Sequence, residues 1–181
     1  MENEQNKIEN PVIKKVDFKH IYELQLIGIQ TFNETFSAGN SEEDMRKYLN
    51  ESFSIERLTQ ELTDRNTEFY FVKNHHEIIG YLKLNFGESQ TELKDNKSVE
   101  IERIYVTKEF YGKKIGQMLY EKALQIAENI NAEYIWLGVW EKNLRALSFY
   151  RKNGFVAFDK HIFKLGNDNQ TDIMMKVKLK K

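Results

Sequence analysis

Between residues 99 and 119 the sequence runs VEIERIYVTKEFYGKKIGQML, a strand-like stretch that passes through a Gly-Lys-Lys-Ile-Gly turn into an apolar-periodic helix. A helix that starts at the carboxyl edge of a strand presents unpaired backbone N–H groups, and its dipole adds positive potential there. Such a place binds phosphate. Gly112 and Gly116 let a ligand approach the main chain, and Lys113 and Lys114 add positive charge. A cofactor carrying a pyrophosphate would suit this turn. A plain strand-to-helix connection with a solvated lysine pair would account for the same residues taken alone.

Other chemistries are closed or weakened. The spacing departs from G-x-G-x-x-G, the following strand, YIWLGV, does not end in an acidic residue, and no Ser or Thr follows the lysines. Dinucleotide and nucleoside triphosphate sites therefore fall away. The absence of cysteine excludes disulfides, a thiol nucleophile and thiolate metal sites. His20, His75, His76 and His161 are scattered, so no metal site is expected. Lys and Arg number 27 against 28 Asp and Glu, so no overall basic field draws the chain to nucleic acid or to anionic lipid. The first ten residues, MENEQNKIEN, are polar and expected to be flexible. No run approaches the roughly 20 apolar residues of a membrane span, so a cytoplasmic protein without a membrane partner is expected.

The elements that must position the turn can be read from periodicity. Residues 12–16 form a first strand, and Asp17 can cap a helix reaching Phe32, followed by an irregular stretch, NETFSAGN. Two short helices open at Ser41 and Ser54. Residues 69–73 and 78–85 read as a hairpin across KNHHE, with 99–106 as their next neighbour. Ile115, Leu119, Ala123 and Ala127 mark a long helix, 134–139 a strand, and 143–152 a helix stopped by Asn153-Gly154; strands at 155–163 and 171–179 complete the chain. The order β α α α β β β α β α β β implies a single α/β (α+β) domain over residues 1–181. It is built on a mixed, mostly antiparallel central sheet with helices on both faces and one crossover between the strands at 99 and 134.

The segment from 140 to 155, WEKNLRALSFYRKNGF, makes the pattern specific. IERIYV, a phosphate-type loop, a long helix, a strand and then N-x-x-A-x-x-F-Y-x-x-x-G-F resembles the GNAT superfamily of acetyl-CoA-dependent N-acetyltransferases. IQTFNETF near residue 30, WLGVWEKN at 136–143 and QTDIMMKVKL at 170–179 are similar to the PaiA-type polyamine (spermidine/spermine) acetyltransferases. The resemblance covers nearly the whole chain and implies a cofactor cleft between a splayed fourth and fifth strand, within a core at about 98–156.

It also implies roles. The pantetheine arm of acetyl-CoA would lie along Ile104, Tyr105 and Val106 as an added strand. The pyrophosphate loop maps to Tyr111, Gly112, Lys113, Lys114, Ile115, Gly116 and Gln117. Tyr111 stands where the family has Arg or Gln and Lys114 where it has Gly, and Lys114 is expected to keep a helical or extended backbone with its side chain turned away. Asn143 would contact the cofactor while capping its helix, and Phe149 would pack beneath the cofactor or in the core. Tyr150 matches the general acid that protonates the departing thiolate, a fitting donor because a phenol of pKa about 10 stays protonated at neutral pH.

An alkylamine acceptor of pKa about 10.4 needs a base or a water relay. Glu100 and Glu102, two apart on one strand and so on one side, are the candidates, and the resemblance favours Glu100. Each also suits an ion pair with Arg103 or a nearby lysine. From Asn33 to Asp64 eight acidic residues face three basic ones, a local balance of −5 that would favour a polycation but also describes a solvated acidic helix face. Glu34, where the first helix meets the cleft in the family, is the substrate-binding candidate. The implied function is direct transfer from acetyl-CoA, without a metal, to a primary amine, a small molecule such as spermidine or spermine, by a monomer or homodimer. A non-catalytic acyl-CoA-binding regulatory module and a protein N-terminal or lysine acetyltransferase are the other readings.

Overall fold

A computed structural model describes residues 8–179; the flexibility expected of residues 1–7 falls outside the described residues. Ile8 packs against the core, and the Glu9 N–H donates to Asn74 Oδ1 at 3.0 Å. The elements follow as β1 (Val12–Lys15), α1 (Ile21–Phe36), α2 (Glu42–Ser52), α3 (Ile55–Thr63), β2 (Thr67–Asn74), β3 (Glu77–Phe86), β4 (Ser98–Val106), α4 (Ile115–Asn129), β5 (Tyr134–Trp140), α5 (Leu144–Lys152), β6 (Val156–Leu165) and β7 (Asp168–Lys178). This is the order read from the sequence. The strands form one seven-stranded sheet, β1-β2-β3-β4-β5-β7-β6, in which β4 and β5 are the parallel pair and the other neighbours are antiparallel. No helix among the described residues is long and apolar enough to cross a membrane.

Alternation along the strands assigns each face its helices. Phe69, Phe71 and Tyr81 point to one side and pack against Ile21, Leu24, Ile27 and Leu58 of α1 and α3. Tyr70, Leu82, Leu84, Val99 and Ile101 point to the other, where α4 and α5 lie. Helix α4 fits closely because Leu119, Ala123 and Ala127 recur every fourth residue and are fully buried, and two alanines let the helix approach the strands. Burying each large apolar side chain of this kind contributes about 1.5–3 kcal/mol.

Three local expectations are revised. Helix α1 does not end at Phe32: Asp17 caps a separate short turn at Phe18–His20, and the helix runs on through the Asn-Glu-Thr stretch. The extra turn persists because Phe36 enters an aromatic cluster with Phe32, stacked at 4.3 Å, and Thr35 Oγ1 donates to the Thr31 carbonyl. Strand β4 does not pass directly into α4, since residues 107–114 intervene with a tight turn at Lys108–Phe110. Lys114 is neither helical nor extended but left-handed, with φ of +64°.

Candidate functional site

The sheet splits between its fourth and fifth strands. β4 pairs with β5 only at Ser98–Tyr134, Val99–Ile135 and Glu100–Trp136, so residues 101–106 carry no β5 partner. A bulge in the β3–β4 register, where Lys83 faces Arg103 but Leu84 faces Ile101, leaves Glu102 as the extra residue and bends β4 away. The split opens into a cavity of about 1230 Å³.

Every candidate named from the sequence except Lys113 and Glu34 lines this cavity. Ile104, Tyr105 and Val106 form one wall; Tyr111, Gly112, Lys114, Ile115, Gly116 and Gln117 curl round one end; Asn143, Phe149 and Tyr150 close over it from α5. Lys113 sits instead with its Nζ 5.1 Å from the centre of the Phe110 ring. Glu34 accepts from the Lys108 backbone N–H at 2.7 Å and from Gln30 Nε2 at 3.0 Å, so it ties the end of α1 to the loop before α4 and stands outside the cavity wall. None of the eight acidic residues between 33 and 64 lines the cavity. Glu61, for one, is buried against Lys83, and Asp44 accepts from the Asn167 N–H.

The loop end has the chemistry to hold an anion. Met118 is the first α4 amide bonded within the helix, to the Lys114 carbonyl at 3.0 Å, which leaves the amides of Ile115, Gly116 and Gln117 without intrahelical partners at a helix start that lines the cavity. The left-handed Lys114 and Gly112, at φ of +76° with open space around it, turn the chain into this helix. Arg145, which the sequence reading passed over, lies with its guanidinium 3.4 Å from the centre of the Tyr111 ring and also lines the cavity. Its position two residues after Asn143 was the available signal. Asn143 caps α5 through its Oδ1, which accepts from the Ala146 N–H at 3.1 Å, and faces the cavity as well.

At the split, the two glutamates separate chemically. Glu100 is 3% exposed and accepts from the Thr91 N–H at 2.8 Å, the Thr91 hydroxyl and Asn85 Nδ2 at 3.0 Å. Burial raises its carboxyl above the ordinary range against those bonds, and the charge of Glu102 adds to the rise. Burial alone would raise Glu102 too, but the charges of Lys83 and Arg103 beside it reverse the shift and hold it low. Glu102 is thereby an ion-pair member, and Glu100 the carboxylate better suited to accept a proton. Tyr150 packs among Phe149 and Phe155, and burial raises its phenol well above its usual value, so it stays protonated.

The far end is aromatic and carries one carboxylate. Phe32, Phe36, Tyr48, Trp140 and Phe163 contribute walls, and His161 and Asp172 reach the cavity from β6 and β7. These last two escaped the sequence reading because only strand register brings them together. Among the described residues no group of three His, Asp or Glu side chains is placed to hold a metal ion.

The model of the acetyltransferase (GNAT) family matches residues 29–155. A protein of Lactobacillus delbrueckii subsp. lactis named as an N-acetyltransferase is 39% identical over 164 residues, covering 91% of this chain and 95% of its own. Spermidine N(1)-acetyltransferase of Thermoplasma acidophilum is 26% identical over 151 residues, 81% of this chain and 89% of its own. Among solved structures, the PaiA N-acetyltransferase of the same organism in complex with coenzyme A shares the fold with a TM-score of 0.80 at 23% identity, covering 94% of this chain and 100% of that one. The family match spans more than half of the chain and includes the split strands, the glycine-lysine loop and the Asn143–Tyr150 segment, and the chain belongs to the GNAT family of N-acetyltransferases.

Proposed function

We propose that this protein transfers the acetyl group of acetyl-CoA directly to a primary amine, of the polyamine class represented by spermidine and spermine. The observation that carries this reading is one continuous cavity with an anion-suited end at α4 and α5, a proton-accepting and a proton-donating side chain at the split, and a carboxylate and aromatic end beyond it. The orphan amides at the start of α4 and the Arg145 guanidinium fit the pyrophosphate of the co-substrate, with Asn143 and Gln117 beside them. The unpartnered edge of β4 offers Ile104, Tyr105 and Val106 to a pantetheine amide chain.

Acetyl-CoA supplies an activated thioester carbonyl to this arrangement. Glu100, raised by burial yet held by three hydrogen bonds, takes the proton from the acceptor ammonium, directly or through water. Tyr150 keeps its proton until negative charge develops on the leaving sulfur and donates it there. The Thermoplasma relative named as a spermidine acetyltransferase supports the polyamine class, as do the Asp172 carboxylate and the aromatic rings of the far end.

The test is release of free CoA thiol from acetyl-CoA over a panel of spermidine, spermine, lysine peptides and aminoglycosides, with Tyr150→Phe beside the wild type. The chain has no cysteine, so the thiol signal is clean. Turnover with polyamines, reduced on the order of a hundredfold or more in Tyr150→Phe, is the expected result. Saturable CoA binding without turnover on any amine would replace this reading with the non-catalytic acyl-CoA module.

A further inference from the structure

The half-buried pair His161–Asp172 plays no part in the chemistry at the split, and its geometry is incomplete. The nearest approach between them, His161 Nε2 to Asp172 Oδ2, is 3.7 Å, too long for a hydrogen bond. Asp172 Oδ1 and His161 Nδ1 are both buried without hydrogen-bond partners. A buried carboxylate oxygen in this condition is costly unless something binds it. Both residues line the cavity.

Strand register fixes where they stand relative to the split. Asp172 pairs with His161 on one side and Trp140 on the other, and directly paired side chains share a face. Glu100 pairs with Trp136, four residues before Trp140, so Glu100 and Asp172 lie on the same face of the sheet. Gly138 lies between Trp136 and Trp140 on that face. A β-carbon there would sit 2.9 Å from His161 Cε1 and 3.4 Å from Asp172 Oδ2, so only glycine leaves the floor open beside the pair. By strand spacing the α-carbons of Glu100 and Asp172 are roughly 10 Å apart across the sheet and about 13 Å apart along it. Trp140, the strand partner of Asp172, has its ring centre 5.5 Å from that of Phe36 and 5.9 Å from Lys142 Nζ.

We infer that Asp172, with His161 beside it, is the anchor for a second cationic group of the acceptor, so that the preferred substrate carries an ammonium at one end while its other end is acetylated near Glu100. This rests on the amine-acetyltransfer reading above and adds to it the residue that distinguishes diamines from monoamines. The orphan carboxylate oxygen receives an N–H donor of the second ammonium.

The probe is a matched pair, octamethylene diamine and octylamine, which differ by one terminal ammonium. Binding of each to the full chain in the presence of CoA is measured by calorimetry, and acetylation is followed in parallel by thiol release. Wild type is expected to bind the diamine at least about tenfold more tightly than the monoamine, the effect of one charge-assisted contact. Asp172→Asn, which keeps the side-chain volume, is expected to abolish that preference, and Asp172→Glu to retain part of it. Circular dichroism and CoA affinity establish that each variant is folded. A diamine preference unchanged in Asp172→Asn, an equal loss for both amines, or no preference in the wild type overturns the inference. Binding separates this failure from that of the acetyltransfer reading. A diamine preference that depends on Asp172 without any thiol release would leave the anchor standing and remove the reaction, whereas turnover of both amines alike would keep the reaction and remove the anchor.

Discussion

At the scale of residues, Glu100 and Glu102 show how neighbours decide the work a side chain does. Both accept from Asn85 Nδ2, at 3.0 and 2.6 Å, so they share one face and one bridging amide. Glu102 is the partner of Lys83, whose side chain is only 3% exposed and also contacts Glu61 at 2.9 Å. Removing the Glu102 charge leaves Lys83 and Arg103 with Glu61 as their remaining acidic neighbour, and breaking a buried pair of this kind costs about 3–5 kcal/mol. Glu102→Gln is therefore expected to lose stability in urea melts. The sign with pH follows from the lowered folded-state value: the contribution is present above the ordinary value of 4.5 and is lost as pH falls below it, so the variant's acid limb should be flatter than that of the wild type. Glu100→Gln should act on activity instead, with kcat reduced on the order of a hundredfold and stability changed by no more than about 1 kcal/mol, because the rearranged hydrogen bonds are offset by removing a buried charge that the fold disfavours. If Glu102→Gln lost only activity and Glu100→Gln only stability, the base would have been assigned to the wrong glutamate.

At the scale of elements, the loop between β4 and α4 departs most from ordinary backbone. Lys114 holds φ of +64° and ψ of 7° with no side-chain cap, a conformation that costs a residue with a β-carbon about 1–2 kcal/mol. Glycine adopts it freely but gains freedom in the unfolded chain, so the two effects partly offset. Lys114→Gly is expected to stabilise the fold by about 1 kcal/mol, read as a rise of about 2–4 °C in Tm for a chain of this size; a fall in Tm would mean that Lys114 is held by contacts worth more than its strain. This is also where the sequence was least informative, because the sign of one φ angle has no periodicity. Elements with local signals were legible: Ser41, Ser54 and Asn143 each cap the helix they were expected to open, and α4 follows its apolar repeat. The contiguous segments Tyr111–Gln117 and Asn143–Tyr150 gave the anion-suited half of the cavity for the same reason. The other half was hidden, since the last turn of α1 depends on Phe36 meeting Tyr105 and Trp140, and His161 meets Asp172 only through the β6–β7 register.

At the scale of the whole molecule, the split that makes the cavity is also a break in the hydrogen-bonded frame. Three register pairs, with the Glu133 N–H to Lys97 carbonyl bond just before them, join the β1–β4 half of the sheet to the β5–β7–β6 half, and on the open side the two halves are bridged by side chains. Phe36 is the central bridge: its ring lies 6.5 Å from Tyr105 on β4 and 5.5 Å from Trp140 on β5, and it stacks on Phe32. Tyr48 of α2 extends the contact to Phe163 of β6 at 5.4 Å, and Asp44 at the start of the same helix accepts from the Asn167 N–H at the β6–β7 turn. Truncating a buried phenylalanine typically costs about 3–5 kcal/mol, but at this position the loss should not be confined to one element. Phe36→Ala is expected to raise amide hydrogen exchange together along β4 residues 101–106 and β5 residues 138–140, while β2 and β3, packed by α3 and α4, keep their protection. Exchange rising in α1 alone would show that the two halves are held by the three register pairs and α4 without the aromatic bridge. Joint deprotection of both lips would show that the width of the cleft is set by the helix lying across it, which places the fit of the acceptor under the control of α1 and α2.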